Sequence, residues 1–165
     1  MESSVRTTPE PGHSLMAAAA FAVAVLATAL VGGSAAAGSG DVYARLDLPA
    51  WAPPSWLFSP VWIALYVLIG VAGWLVWRAA GTQGAMVFLA VYTLQLLLNA
   101  AWTPLFFGAG LYGLAFADIV LLAVAVAVTL LLAWRHSRTA ALLLAPYLAW
   151  VCFAAALNAA IWAAN

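Results

Sequence analysis

No lysine occurs among the 165 residues, and charged side chains of either sign make up only 6% of them. The missing amine excludes a Schiff base to retinal and any other lysine-dependent covalent chemistry. All five basic residues are arginines, scattered one or two at a time in a chain of zero formal net charge. Without a basic face there is nothing to meet a run of phosphates, so nucleic acid is not an expected partner. The single cysteine, Cys152, has no partner for an intramolecular disulfide. Histidine is limited to His13 in the polar amino-terminal segment and His136 in a short loop. Neither a cluster with metal-ligand spacing nor an internal haem ligand is therefore present, and no metal and no required cofactor are expected.

What fills the sequence instead is apolar. An ordinary soluble domain has roughly a quarter of its residues charged, whereas here 68% are hydrophobic, the composition of a membrane protein. Residues 1–13, MESSVRTTPEPGH, are polar, proline-containing and aperiodic, and read as a disordered tail. Five apolar stretches follow, near 14–34, 58–79, 84–107, 111–134 and 138–163, each reaching the roughly 20 residues that a helix needs to cross a bilayer. Hydrocarbon cannot satisfy unpaired backbone groups, and runs this long without strand-like alternation favour helices over a barrel. The expected fold class is all-α, a single membrane domain over 14–165 built as a bundle of five transmembrane helices. The first stretch ends near SAAAG, which resembles a signal-peptide cleavage site. Its flank carries Glu2, Arg6 and Glu10 and is not positive, and its apolar run exceeds the usual signal core, so it is read as a retained span.

Arg6, Arg78, Arg135 and Arg138 fall on the side of the amino terminus and Arg45 alone on the other, which predicts a cytoplasmic amino terminus. The loop over 35–57 then lies on the opposite side, with the FFGAGLY turn and the carboxyl terminus. Later connections are only a few residues long, which predicts that consecutive helices pack as antiparallel neighbours. The one long loop contains Asp41, Tyr43, Arg45, Asp47, Trp51 and Trp56 and is expected to act as a ligand lid.

Polar and aromatic side chains recur at helical spacing. Gln95, Asn99 and Trp102 share one face of the third span; Tyr147, Trp150 and Asn158 lie close together on the wheel of the fifth; Trp62 and Tyr66 align in the second. Lipid does not favour amides, so these stripes should face inward. Counted from the loop end at ~1.5 Å per residue, Trp62 lies ~6 Å in, Asn158 ~8 Å, Asn99 ~9 Å and Asp118 ~11 Å, with Trp150 at ~20 Å as a floor. That predicts an aromatic cavity under the long loop. Simpler readings stand beside each assignment. Trp74, Trp77, Trp134 and Trp162 near span ends read as interfacial anchors. Trp62 and Trp150 read equally as packing filler, and Gln95, Asn99 and Asn158 as interhelical hydrogen-bond glue. Asp118, the only acid inside a span, is either functional or a neutral structural group. Pro104 and Pro146 are expected to end or bend their helices, and the alanine-rich AAAAFAVAVLA suits close helix contact or dimerisation.

WAPPSWLF followed by PVWIALY, then QLLLNAAWTPLFFG, then PYLAWVCFAAALN, at these intervals over roughly 15–163, resembles the tryptophan-rich sensory protein and translocator protein family, TspO/MBR. The resemblance implies a five-helix bundle, commonly a homodimer, in a bacterial cell membrane. It implies binding of tetrapyrroles such as protoporphyrin IX and haem, and in some members of cholesterol and benzodiazepine-type drugs. Carried over by position, the implied ligand-binding residues are Trp51, Trp56, Phe58, Trp62, Gln95, Asn99, Trp102, Phe106, Tyr147, Trp150 and Asn158. Trp62 and Trp150 also match tryptophans implicated in light-dependent porphyrin breakdown, which makes them the candidate catalytic residues. The carboxyl-terminal LNAAIWAAN lacks the tyrosine followed by arginine or lysine found in cholesterol-binding members, so no sterol role is carried over.

Three functions are thereby set against one another. The first is a membrane receptor or carrier for porphyrins and related lipophiles, acting in tetrapyrrole handling and stress regulation, with lipid and a second copy of the chain as further partners. The second is an enzyme degrading porphyrin with light and oxygen through Trp62 and Trp150. The third, a small ion or proton path past Asp118, has one acid and no intramembrane partner for it.

Overall fold

The computed structural model describes residues 11–36 and 38–165, and among these no strand occurs. Five helices are long and apolar enough to cross a membrane. Helix α1 spans Pro11–Ala35, and a short α2, Ser39–Arg45, lies within the first loop. A single 3-10 turn, Ser55–Leu57, leads into α3, Phe58–Gly84; then come α4, Met86–Thr103, α5, Tyr112–His136, and α6, Arg138–Ala164. The helical start at Pro11 corrects the boundary of the polar tail, because 11–13 belong to α1; residues 1–10 lie outside the described residues.

Several turns follow from single residues. Pro54 is extended, at φ −64° and ψ 144°, so the chain cannot enter the helix before it. Gly81 adopts φ 67° and ψ 177°, a conformation open essentially to glycine, and breaks α3 one turn before its end. Pro104 ends the regular hydrogen bonding of α4, yet the chain continues through Gly108 as one wide, π-type turn closed by the Ala109 amide donating to the Pro104 carbonyl at 2.9 Å. Pro146, expected to end or bend its helix, does not end it: α6 runs on to Ala164.

The helices close into a ring, α1 against α3, α3 against α6, α6 against α5, α5 against α4, and α4 back against α1. Ser14 at the start of α1 meets Trp74 near the end of α3, so those two are antiparallel. Gln95 and Asn99 meet Tyr147, and Trp102 meets Asn158, so α4 and α6 run parallel across the ring. One expectation is corrected. Helices α3 and α4 are consecutive but make only limited contact, because α1 packs against both and stands between them in the ring. The redirection at Gly81 permits this, and Gly73 assists it: a side chain there would meet Phe21 Cδ1 at 2.6 Å and Tyr92 Cζ at 2.9 Å.

The distribution of side chains is that of a bundle in hydrocarbon. Large apolar residues such as Leu15, Leu30, Val87, Leu97 and Leu131 cover the outside, whereas Gln95, Asn99, Asp118, Thr129 and Asn158 are buried within. Thr129 donates to the Ala125 carbonyl within its own helix, and most of the remaining buried polar groups find partners across the ring.

Candidate functional site

The loop between α1 and α3 meets the cavity through α2 and Ser55, and the part between Asp47 and Trp51 runs along α6 instead. Asp47 is held at the far end of α6, its amide donating to Asn165 Oδ1 at 3.1 Å, while Trp51 packs edge-on against Phe153 with ring centroids 5.8 Å apart. The intervening chain therefore runs back along α6 by about three helical turns. Phe153 in turn packs on Trp150 at 5.4 Å, and Trp150 on Phe58 at 6.0 Å. This corrects the depth assigned to Trp150: it stands beside the first residue of α3 and forms no floor, because the loop carries the start of α3 down to its level. Trp51 is 50% and Trp56 69% exposed, and neither lines a cavity.

Tyr43 takes the place expected of the tryptophans. It is buried, packs edge-on against Phe58 at 5.5 Å and donates its hydroxyl to the Pro53 carbonyl at 3.0 Å, tying the two ends of the loop together. Burial pushes this hydroxyl above its ordinary pKa, so it remains a donor at neutral pH. Beneath it lies a half-open cavity of about 300 Å³ between α1, α2, α3 and the end of α4. Its aromatic walls are Tyr43, Phe58, Trp62, Tyr66, Trp102 and Phe107. Gly32 and Gly33 of α1 leave room on the facing side, and Ser39, Ser55, Ser59 and Thr103 supply hydroxyls.

Apart from Trp51, Trp56 and Trp150, the implied ligand-binding residues separate into three groups. Phe58, Trp62 and Trp102 line this cavity. Phe106 and Asn158 line a void of about 10 Å³ behind it, which shares Tyr43, Phe58, Trp102 and Phe107. Gln95, Asn99 and Tyr147 line neither and form a buried network. Tyr66 donates to Asn99 Oδ1 at 2.8 Å, Asn99 Nδ2 donates to the Tyr147 hydroxyl at 3.0 Å, and that hydroxyl donates to Gln95 Oε1 at 2.8 Å. A second link runs from Trp102 Nε1 to Asn158 Oδ1 at 3.0 Å and from Asn158 Nδ2 to the Tyr112 carbonyl at 2.9 Å. The amides thus bridge α3, α4 and α6, the glue reading of the sequence, and they touch the cavity only through Tyr66 and Trp102. Asp118 is buried in α5 with Oδ2 unpartnered and lines neither space.

Thr103 and Phe107 are cavity residues that the sequence does not single out; Tyr43 is marked there only as one of several residues of the loop, and Tyr66 only by its alignment with Trp62. The two rings of that pair lie 5.5 Å apart at a 30° tilt. The i to i+4 spacing is visible in the sequence, whereas the return of Tyr43 onto Phe58 is a loop contact with no periodicity to reveal it.

Chemically the cavity offers flat aromatic walls and a few hydroxyls, with no carboxylate and no cation among its lining residues. It suits a lipophilic molecule with a π-face and polar edges. The family model for TspO/MBR matches residues 18–163. The chain is similar to the translocator protein of Homo sapiens, 46% identical over 125 residues that cover 74% of each chain. It is also similar to the tryptophan-rich protein TspO of Archaeoglobus fulgidus, 42% identical over 123 residues covering 74% of this chain and 79% of the relative. Protein CrtK of Rhodobacter capsulatus is 36% identical over 147 residues, covering 88% of this chain and 92% of the relative. With its five membrane-spanning helices and a match over nearly its whole length, the chain belongs to the TspO/MBR family of integral membrane proteins.

Proposed function

We propose that this protein is a membrane receptor or carrier that binds porphyrins such as protoporphyrin IX or haem, and related flat lipophiles, in the cavity beneath Tyr43. The observation that carries the reading is the cavity wall itself, six aromatic side chains around about 300 Å³ with hydroxyls and no titratable acid or base at its surface other than tyrosine. Family membership supports a receptor or sensory role. Binding is favoured over porphyrin breakdown because only one of the two candidate tryptophans, Trp62, lines the cavity, while Trp150 stands behind Phe58. A cytoplasmic amino terminus and a homodimeric assembly belong to the same reading.

The test is quenching of intrinsic fluorescence by protoporphyrin IX in detergent or nanodiscs. Trp62→Ala is expected to weaken binding about tenfold or more, the loss of a buried aromatic contact. Trp150→Ala should leave the affinity within about threefold. Wild-type affinity in Trp62→Ala would remove the cavity as the porphyrin site.

A further inference from the structure

A second, larger space lies on the outside of the bundle. It is a groove of about 450 Å³ between α1 and α3, and almost all of its lining surface is apolar. Ala22, Val25 and Ala29 form one wall, and Tyr66, Gly70 and Trp74 the other. The spacing on both helices follows one face, so the groove runs along the helix axes for roughly 12 Å between the levels of Tyr66 and Trp74. The two helices come close at Gly70, where an added Cβ would touch Val25 Cγ2 at 3.7 Å.

Its two ends differ. At one end Trp74 donates its indole N–H to the Ser14 carbonyl at 3.2 Å, and the Arg78 guanidinium lies over the Trp74 ring at 4.8 Å. Arg78 is exposed and forms no ion pair among the described residues, and its guanidinium stands at the mouth of an apolar channel. Arg135 and Arg138, in the turn between α5 and α6, belong to the same end of the bundle by helix order. At the other end Ala29 and Tyr66 line both the groove and the inner cavity, as does Ile63.

We propose that this groove is a binding site for an anionic membrane phospholipid, its headgroup phosphate held by Arg78 and one acyl chain laid between α1 and α3. Hydrocarbon in the groove satisfies a surface with almost no polar atoms. The Arg78 guanidinium selects the charge of the headgroup, and stacking on Trp74 holds it at the interface. The chain ends against Ala29, Ile63 and Tyr66, so a lipid in this groove forms part of the membrane-side wall of the cavity. The proposal is independent of what the cavity binds.

The experiment is native mass spectrometry of the detergent-purified protein with an equimolar mixture of phosphatidylglycerol and phosphatidylcholine carrying the same acyl chains. The wild type is expected to retain phosphatidylglycerol about fivefold more, the preference one arginine confers near an anionic surface. Arg78→Gln should abolish the preference, Arg78→Lys should restore most of it, and Arg135→Gln should leave it intact. Ala22→Phe, which fills the groove from an exposed helix face, should reduce retention of both lipids. Equal retention by the wild type, an unchanged preference in Arg78→Gln, or a dimer that excludes lipid from the groove would each overturn the assignment.

Discussion

At the scale of single residues, burial does not distinguish a binding residue from a bridge; hydrogen-bond partners do. Asn99 is enclosed by two tyrosine hydroxyls, accepting from Tyr66 and donating to Tyr147. Replacing it with leucine removes the acceptor of the Tyr66 hydroxyl and the bond that the Tyr147 hydroxyl accepts, two bonds in all, and Asn99→Leu is expected to destabilise the protein by about 1–3 kcal/mol. Gln95 uses only its carbonyl oxygen, and its Nε2 is already without a partner. Gln95→Leu removes one stranded donor and takes one acceptor from the Tyr147 hydroxyl, which still accepts from Asn99, so its cost should stay below that of Asn99→Leu, at about 1 kcal/mol. Reversible unfolding of both variants in mixed micelles measures the difference. Equal costs would mean that Nε2 has an acceptor in the membrane-embedded protein.

At the scale of helices, the ring depends on where a side chain is missing. Phe21 of α1 and Tyr92 of α4 pack edge-on with ring centroids 5.5 Å apart, and both lie against the backbone of α3 at Gly73. Both rings are held inside the packing, so Gly73→Ala is expected to cost about 1–3 kcal/mol as an overpacked contact. Gly113 provides the contrast. A Cβ there would meet Trp162 Cε2 at 2.8 Å, but Trp162 is 52% exposed and can swing toward lipid. Gly113→Ala should therefore change stability by less than about 1 kcal/mol. Thermal denaturation of the two variants in one detergent distinguishes an anchored neighbour from a free one.

At the scale of the whole molecule, the loop is fixed by contacts between distant parts of the chain. Asn165 accepts from the Asp47 amide, donates to the Asp47 carbonyl at 3.4 Å and so holds the loop to the end of α6. Both bonds are exposed, so Asn165→Ala should leave the unfolding temperature nearly unchanged while hastening proteolytic cleavage within 46–54. Unchanged cleavage would place the anchor at Trp51 and Phe153 instead. The number of spans and their limits to within a few residues were legible in the sequence, because helix length and apolar composition are set by the thickness of hydrocarbon. So was the inward direction of Gln95, Asn99 and Asn158, because amides avoid lipid and share a helix face with one another or with a tyrosine. Tertiary structure decided the rest. Whether an inward amide meets a cavity or another side chain depends on the facing helix, and the ring order placed Tyr147 opposite Asn99 and left Trp62 open. The path of the loop along α6, which removed Trp51 and Trp56 from the roof and put Tyr43 there, rests on aperiodic contacts over long sequence separations, for which local spacing carries no signal.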